Sequence, residues 1–166
     1  DAVTITSTNG DVSASSYVGA ISATVGGTAA ASYTIGTVSS SIASSNTGGL
    51  TVDAEALADN QTLTLSGTGS FTVSNLAADL TSSSTDTVGV TLDDDAGNVS
   101  TTVTNNAASG TLTVNSGDFD SGDTIVLAGT RSISVVATDS VSVTTGSASA
   151  SISEVTTKTA TVNATA

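Results

Sequence analysis

TLTLSGTGSFTV, residues 62–73, places two short apolar–polar alternations on either side of a Gly-Thr-Gly bend. An alternation with a period of two is typical of a β-strand that buries one face. The apolar side chains of the two strands therefore share one face: Leu63, Leu65, Phe71 and Val73. Gly67 and Gly69 supply the backbone freedom that the bend requires. The bend fits either a tight antiparallel hairpin or the corner of a β-solenoid coil, in which the chain continues around the coil.

A unit that contains this stretch occurs twice in the chain. Residues 50–74 align without a gap to residues 112–136, at an offset of 62, and nine of the twenty-five aligned residues are identical. Three apolar positions exchange for other apolar residues: Leu57 for Phe119, Leu63 for Ile125 and Phe71 for Ile133. In the second copy Arg131 replaces Gly69, a change that a solenoid corner tolerates better than a two-residue hairpin turn. Such an internal repeat indicates an array of stacked units.

Strand candidates recur every ten to twelve residues or so, a spacing typical of a sandwich, barrel or solenoid. They cover 2–6, 32–38, 50–52, 62–66, 70–74, 87–92, 99–104, 111–114, 124–128, 132–137, 140–145, 150–155 and 159–163. A short helical turn is predicted over 53–59, where Asp53 is placed to cap an Ala/Leu/Glu run. We therefore predict an all-β protein, a repeat-built β-solenoid similar to a parallel β-helix, with an Ig-like β-sandwich as the alternative.

The repeat also predicts how the chain is organised. Residues 1–49 form an Ala/Gly/Ser-rich N-terminal β segment, which we interpret as a cap or a donated strand. Repeat unit 1 then covers 50–111 and repeat unit 2 covers 112–166, and we expect one continuous β domain. Because the sequence starts at Asp1 without an initiator Met or a leader, we interpret the chain as a mature product or a fragment of a longer one.

The composition narrows the possible functions. The 166 residues include no Cys, His, Met, Trp or Pro, and two basic residues stand against fifteen acidic ones, for a net charge of −13. The missing His and Cys remove His-based general bases, thiolate nucleophiles, N/S zinc sites and disulfides. The charge disfavours nucleic acid and anionic membranes as partners, and no apolar run of eighteen residues is present to insert into a membrane. We therefore expect a non-enzymatic protein whose natural ligands are oxygen-ligated cations, above all Ca²⁺.

Two acidic clusters are candidate Ca²⁺ sites. They consist of Asp93, Asp95 and Asn98 in LDDDAGN, and of Asp118, Asp120 and Asp123 in SGDFDSGD. Calcium takes six to eight oxygen ligands, of which such a turn can supply several. In the second cluster two carboxylates alternate around Phe119, so in an extended segment they point the same way and repel unless a cation or water separates them. The alternative for each cluster is a solvated acidic turn whose side chains bond to its own backbone.

Two other functions receive little support from the sequence. A glycosidase needs paired carboxylates across a sugar cleft and normally aromatic platforms, and the chain has two Phe, two Tyr and no Trp. Thr-x-Thr pairs raise the possibility of ice binding, which requires a flat ladder of outward Thr. Thr is a common outward strand residue in any case, and at the repeat offset Thr64 is matched by Val126.

Two resemblances favour a role at the cell surface. The units over 50–80 and 112–141 resemble repeats of large, acidic, cysteine-free bacterial proteins exported by type I secretion, the RTX-like adhesins and S-layer proteins, whose repeats tend to build β-solenoids. Separately, VTLDDDAGNVSTTVT over 90–104 is similar to the strand-turn-strand of bacterial Ig-like adhesin modules. Both resemblances imply an extracellular, non-enzymatic protein, and they imply different folds. The RTX calcium nonapeptide, a GG-x-G-x-D run, is absent from the sequence.

We therefore expect a structural cell-surface protein that assembles with copies of itself, head to tail or in a lattice. An S-layer, an extracellular filament and an adhesin stalk all fit this description, with Ca²⁺ as a stabilising ion. The physical reason is that an open β-stack ends in unpaired strand edges, which must be capped or extended. The alternative is a calcium-dependent adhesive binding module that recognises a glycan or a host surface.

Overall fold

The computed structural model of the chain describes residues 1–7, 9–93, 100–119, 122–146, 149–154 and 159–164. Within these ranges there are seventeen β-strands and no helix. The strands are β1 (Val3–Ser7), β2 (Val12–Ser13), β3 (Ile21–Val25), β4 (Ala31–Thr34), β5 (Ser40–Ser44), β6 (Leu50–Asp53), β7 (Thr62–Gly67), β8 (Phe71–Leu76), β9 (Asp79–Ser82), β10 (Val88–Leu92), β11 (Ser100–Asn105), β12 (Leu112–Asn115), β13 (Thr124–Gly129), β14 (Ile133–Ala137), β15 (Val141–Thr145), β16 (Ala150–Glu154) and β17 (Ala160–Ala164).

The strands form two parallel sheets. The nine odd-numbered strands make sheet A and the eight even-numbered strands make sheet B, each in sequence order. Because consecutive strands lie in opposite sheets, every two strands complete one coil, and the chain winds through about eight coils. The predicted β-solenoid is confirmed. The Ig-like sandwich is wrong, since it is built from antiparallel pairs whereas the neighbouring strands of each sheet run parallel.

The repeat found in the sequence corresponds to three coils in sheet B. The register stacks Leu50, Phe71, Val88 and Leu112 in successive strands. The three coils between these residues differ in length: the shortest runs from Phe71 to Val88 and the longest from Val88 to Leu112. The predicted unit boundaries at residues 50 and 112 are the first residues of β6 and β12. Coil length varies because the corners differ in length. The strands of these coils stay in register except in the pair β8 and β10, where the register shifts between Val90 and Leu92.

The Gly-Thr-Gly bend is a solenoid corner that leads from β7 in sheet A to β8 in sheet B. Gly67 has a φ of +104°, a conformation that L-residues rarely adopt. A Cβ at this position would collide with the carbonyl oxygen of Ser44 in the preceding coil. The same oxygen accepts the N–H groups of Thr68 and Gly69, at 2.8 and 2.9 Å. The hairpin interpretation of the bend is therefore wrong.

The second copy of the unit builds the same corner. Gly129 has a φ of +102°, and a Cβ there would collide with the carbonyl oxygen of Asn105 in the coil below. This oxygen accepts the N–H groups of Thr130 and Arg131, at 2.9 and 3.1 Å. Only the first glycine of the bend has a positive φ in both copies, so the backbone angle does not require glycine at the second position. At Gly69 itself, a Cβ would meet Asn46 O of the preceding coil.

The inward side chains of both sheets form one continuous hydrophobic core. The alternation predicted over 62–73 is observed, because its four apolar side chains are at most 2% exposed. The largest fully buried side chains include Tyr33, Phe71 and Phe119. Ser40, Ser44 and Ser82 also point inward and are buried, so small polar residues replace aliphatic ones in part of the core.

The helical turn predicted over 53–59 is wrong. The segment forms two successive turns, in which the N–H of Leu57 donates to Ala54 O at 2.9 Å and the N–H of Gln61 donates to Ala58 O at 2.9 Å. Asp53 Oδ1 accepts the N–H of Glu55 at 3.2 Å, as expected of a capping residue. A run of this length is too short to form a stable helix by itself. Burial of Leu57, which is 1% exposed, favours the corner instead.

Tyr33 provides a test of the core. Its side chain is fully buried, and among the described residues its hydroxyl has no hydrogen-bond partner. We expect Tyr33→Phe to raise the free energy of unfolding by about 1 kcal/mol, because an unsatisfied buried hydroxyl costs about 1–3 kcal/mol. Tyr17→Phe is the matched control, since the Tyr17 hydroxyl donates to Asp1 O at 2.8 Å. Urea denaturation measures both changes, and a clear loss of stability in Tyr33→Phe would contradict the expectation.

Candidate functional site

The predicted calcium ligands are partly described by the structure. Asp95, Asn98 and Asp120 lie outside the described residues. Asp93 follows β10, is partly exposed, and donates its N–H to Leu76 O at 3.1 Å. Within the described parts of the chain, no three His, Cys, Asp or Glu side chains form a group that could hold a metal ion. Calcium binding therefore stays a prediction.

The second acidic cluster contains two different environments. Asp118 is exposed at the corner between β12 and β13, next to the fully buried Phe119. Asp123 directly precedes β13 and is 0% exposed, and its carbonyl oxygen accepts the N–H of Ser142 at 3.0 Å. A solvated acidic loop does not describe Asp123, because a carboxylate buried to this extent needs polar or cationic partners.

The outward face of sheet A carries a row of hydroxyl side chains. We call this set the hydroxyl row: Thr4, Ser22, Ser41, Thr64, Thr81 and Thr104. Each residue stacks on the next across one pair of parallel strands, and Ala128 follows Thr104 in the same row. In the first two strands a second hydroxyl lies two residues further along, Thr6 beside Thr24. The result is a regular polar array on one side of the solenoid.

The strand register shows that the sequence comparison of Thr64 with Val126 joined residues from two different rows. In sheet A the stacked positions run from Leu63 through Leu80 and Val103 to Leu127. The sequence alignment instead matches Leu63 with Ile125, two positions before Leu127. The alignment therefore pairs Thr64 with a residue from a different row, because Val126 stacks on Thr102 whereas Thr64 stacks on Thr81.

The N-terminal end of the solenoid exposes apolar surface. The free edges of β1 and β2 have no neighbouring strand among the described residues. Val3 is 38% exposed, while Ile5, Val12 and Tyr17 are partly buried. These side chains line an open cavity of about 520 Å³. The first coil is unevenly paired, since β2 pairs with β4 only through Val12 and Ser13 whereas β1 pairs with β3 over five residues.

The C-terminal end has the same organisation. β16 and β17 are the last strands of sheet B and sheet A, and in the described part of the chain nothing pairs with their outer edges. Val162 is 50% exposed, and Ile152 and Ala160 are partly buried against the core. Glu154, in β16, is exposed, and its Oε1 accepts the N–H of Ala160 at 2.9 Å. Each end therefore presents one strand of each sheet and a partly covered core.

The geometry defines the chain as a parallel β-solenoid with a hydroxyl-bearing face and with end strands whose outer edges pair with no strand of the described residues. The chain matches no protein-family model, no curated protein and no solved structure. Over the described ranges, no helix has the length and apolar character that crossing a bilayer requires.

Proposed function

We propose that this chain is a structural cell-surface protein that self-assembles with copies of itself, as part of an S-layer, an extracellular filament or an adhesin stalk. The fold suits a rod, because about eight coils at about 4.8 Å each span about 4 nm along the axis. One core runs through the coils, which makes such a rod stiff. The extracellular location rests on the composition and on the resemblance to surface-protein repeats.

The observation that carries the proposal is the pair of open ends. A free strand edge is a template for pairing with another chain, and both ends combine such edges with exposed apolar side chains, Val3 at one end and Val162 at the other. Natural sheets often protect free edges with proline or lysine, and the chain contains no proline. Contact between ends buries apolar surface and satisfies backbone donors and acceptors together.

Electron microscopy of the purified chain, with Ca²⁺ and again after chelation, tests the assembly. We expect ordered filaments or sheets in the presence of Ca²⁺, because cations reduce the repulsion between chains of net charge −13. Filaments or sheets that disassemble on chelation would support a calcium-dependent structural subunit. Filaments or sheets that survive chelation would indicate that contacts between strands and ends hold the copies together. Dispersed particles in both conditions would refute assembly and favour the calcium-dependent adhesive module that recognises a glycan or host surface.

Calcium binding at the two acidic clusters is part of the proposal. We expect CaCl₂ to raise the thermal midpoint of unfolding more than NaCl of equal ionic strength, because bound Ca²⁺ stabilises the folded state whereas both salts screen charge. The double variant Asp118→Asn/Asp120→Asn is expected to lose the part of this difference that the second cluster contributes. Asp11→Asn, far from both clusters in sequence, is the control variant. Equal midpoints in the two salts would contradict calcium binding.

The hydroxyl row supports a second candidate function, binding to an ice lattice. Its hydroxyls recur at about 4.8 Å between neighbouring strands and about 6.6 Å between alternate residues of one strand. Oxygen atoms in planes of ice recur at similar distances, so such an array can hold surface water in an ice-like order. In the sequence, the match of Thr64 with Val126 argued against ice binding. The stacked row from Thr4 to Thr104 is not interrupted by Val126.

Thermal hysteresis measures ice binding directly. We expect the unmodified chain to stop an ice crystal from growing at temperatures slightly below its melting point. Thr64→Lys should abolish the effect, because a long charged side chain in the middle of the hydroxyl row prevents close contact with a flat lattice. Thr72→Lys is the matched control, since Thr72 is exposed on sheet B. Absence of hysteresis in the unmodified chain would refute this second function.

A further inference from the structure

We propose that a notch around Arg131 binds the carboxylate of an acidic sugar, such as a uronic acid. The notch lies where the corner after β13 meets the outward face of sheet B. It is separate from the acidic clusters and from the hydroxyl row, and it does not depend on self-assembly.

Arg131 has no partner for its charge in the described part of the chain. It is the one basic residue there, since Lys158 lies outside the described residues. Arg131 is exposed, and within those residues its side chain forms no hydrogen bond or ion pair. Fifteen acidic residues stand against two basic ones in the whole sequence. An arginine that stays unpaired in so acidic a chain is available to a ligand from outside.

The corner between β13 and β14 uses only the backbone of Arg131. Its N–H donates to Asn105 O at 3.1 Å, and in the first copy the N–H of Gly69 donates to Ser44 O at 2.9 Å. Both copies therefore make the same contact, and the first makes it without a side chain. The contacts of the corner leave the guanidinium of Arg131 free for binding.

The notch has a volume of about 260 Å³ and combines Arg131 with the buried side chains of Leu112 and Ile133. Four hydroxyl side chains also line it: Thr111, Ser132, Ser134 and Ser151. Within the described residues none of these hydroxyls makes a hydrogen bond. Sites for drug-sized ligands usually measure about 300–1,000 Å³, so this notch suits a single small unit.

The chemistry of these side chains matches an acidic sugar. A guanidinium binds a carboxylate through two parallel hydrogen bonds, which are stronger than those between neutral groups. Serine and threonine hydroxyls both donate and accept hydrogen bonds, as the hydroxyls of a sugar do. Ser134 and Ser151 stack on neighbouring strands, which lie about 4.8 Å apart, and one sugar ring can bridge them.

Most acidic side chains lie at the other edge of the solenoid. We call the segments that lead from a strand of sheet A to the next strand of sheet B the A-to-B corners, and Arg131 lies in one of them. Among the described residues, the acidic residues of these corners are Asp11 and Asp86. The corners that lead from sheet B to sheet A hold a larger set: Glu55, Asp59, Asp93, Asp118, Asp123 and Asp139. An anionic ligand therefore meets less repulsion at the notch than at the opposite edge.

Asp86 provides a test of the charge of the ligand. It is exposed, and a Cβ at Gly110, which lines the notch, would meet its carbonyl oxygen. A carboxylate near the notch repels a bound anion, so we expect Asp86→Asn to tighten the binding of a uronate about twofold at an ionic strength of about 10 mM. The effect should disappear at about 1 M, where the Debye length is about 3 Å. Asparagine keeps the Oδ1 atom that accepts the N–H of Thr87.

Saturation-transfer NMR with trigalacturonic acid measures the binding, and it detects ligands on monomers and on assemblies alike. We expect a dissociation constant on the order of 1 mM, in keeping with one charged pair and a few hydroxyl contacts. Arg131→Gln, which removes the charge, should weaken binding about tenfold or more. The fully methyl-esterified trimer, which carries no charge, should lose about as much affinity. Lys158→Gln removes the same charge at the other basic residue and is the control, with little change expected.

Each outcome decides a separate part of the proposal. Binding that is lost in Arg131→Gln and with the ester, and kept in Lys158→Gln, supports the site. Binding that persists in Arg131→Gln with an unchanged circular dichroism spectrum, or equal binding of the ester, overturns it. Acetate or a peptide carboxylate that binds as tightly as the trimer overturns the assignment to a sugar. No binding of the trimer to the unmodified chain overturns the whole inference and leaves self-assembly, which electron microscopy tests, unaffected.

Discussion

Replacing Gly67 with alanine is expected to lower the free energy of unfolding by about 3 kcal/mol or more, a loss typical of strain at a special backbone conformation. Two costs combine at this corner. The φ of +104° is unfavourable for any residue with a Cβ. The added Cβ also meets the carbonyl oxygen of Ser44, which is backbone and already accepts two hydrogen bonds. Relief of the collision would separate neighbouring coils and break these bonds.

Gly89→Ala is the matched control for the corner glycine. Gly89 lies within β10, and a Cβ there would meet no atom of the described residues within 4 Å. We expect a change within about 1 kcal/mol, in the stabilising direction, since alanine has the lower conformational entropy in the unfolded chain. Urea denaturation followed by circular dichroism measures both variants. Similar losses in the two variants would contradict the corner geometry.

Phe119→Ala is expected to lower the free energy of unfolding by about 3–5 kcal/mol, the usual cost of truncating a buried aromatic residue. Phe119 is 0% exposed and inserts into the core from the corner between β12 and β13. Its N–H donates to Ser116 O at 3.0 Å, which fixes the turn from which the ring enters the core. Alanine would leave a cavity in a region where both flanking strands are already paired.

Phe119→Leu is the informative comparison. Leu57 occupies the equivalent position of the first copy, makes the same type of turn with Ala54 O, and is 1% exposed. The corner therefore accepts leucine, and we expect Phe119→Leu to cost less than about 1.5 kcal/mol. Equal losses for the alanine and leucine variants would mean that the corner depends on the aromatic ring and not on filled volume.

The strands that the sequence revealed have β-branched or large apolar residues on the inward face, and β3, with Ile21 and Val25 inward, is a strand of this kind that was missed. Four strands were not predicted: β2, β3, β5 and β9. In β5 the inward residues are Ser40, Ile42 and Ser44, so the apolar alternation is lost although all three are buried. Local bonds satisfy these serines, since Ser40 Oγ donates to Val38 O and Ser44 Oγ accepts the N–H of Asn46. Hydropathy does not detect a core position filled by a satisfied polar residue.

The length of a coil could not be predicted from the sequence for a related reason. Successive coils in sheet B differ in length, because the corners vary while the strands stay similar. The coil from Phe71 to Val88 is shorter than both of its neighbours, and the next one, from Val88 to Leu112, is the longest of the three. A period that changes at every coil leaves no single-coil repeat to align, and only the pair of units with matching corners was detected.

The candidate sites required the register as well as the residue types. The sequence identified the acidic loops, and burial of Asp123 became visible only with the packing of the β12–β13 corner around Phe119. The hydroxyl row was misjudged because a shift of two residues moves a side chain to a neighbouring row on the same face. Strand pairing between distant segments sets that shift, and composition does not encode it.

The short strand β2 has a mechanical consequence. In a solenoid the hydrogen bonds between coils run along the axis, so a pulling force on the rod acts on every coil junction in series. The junction with the fewest bonds opens first under such a load. The contact of Val12 and Ser13 with Tyr33 and Thr34 is two residues long, whereas β11 and β13 are paired over six. The β2 side of the first coil would therefore separate at low force, while β1, which pairs with β3 over five residues, stays attached.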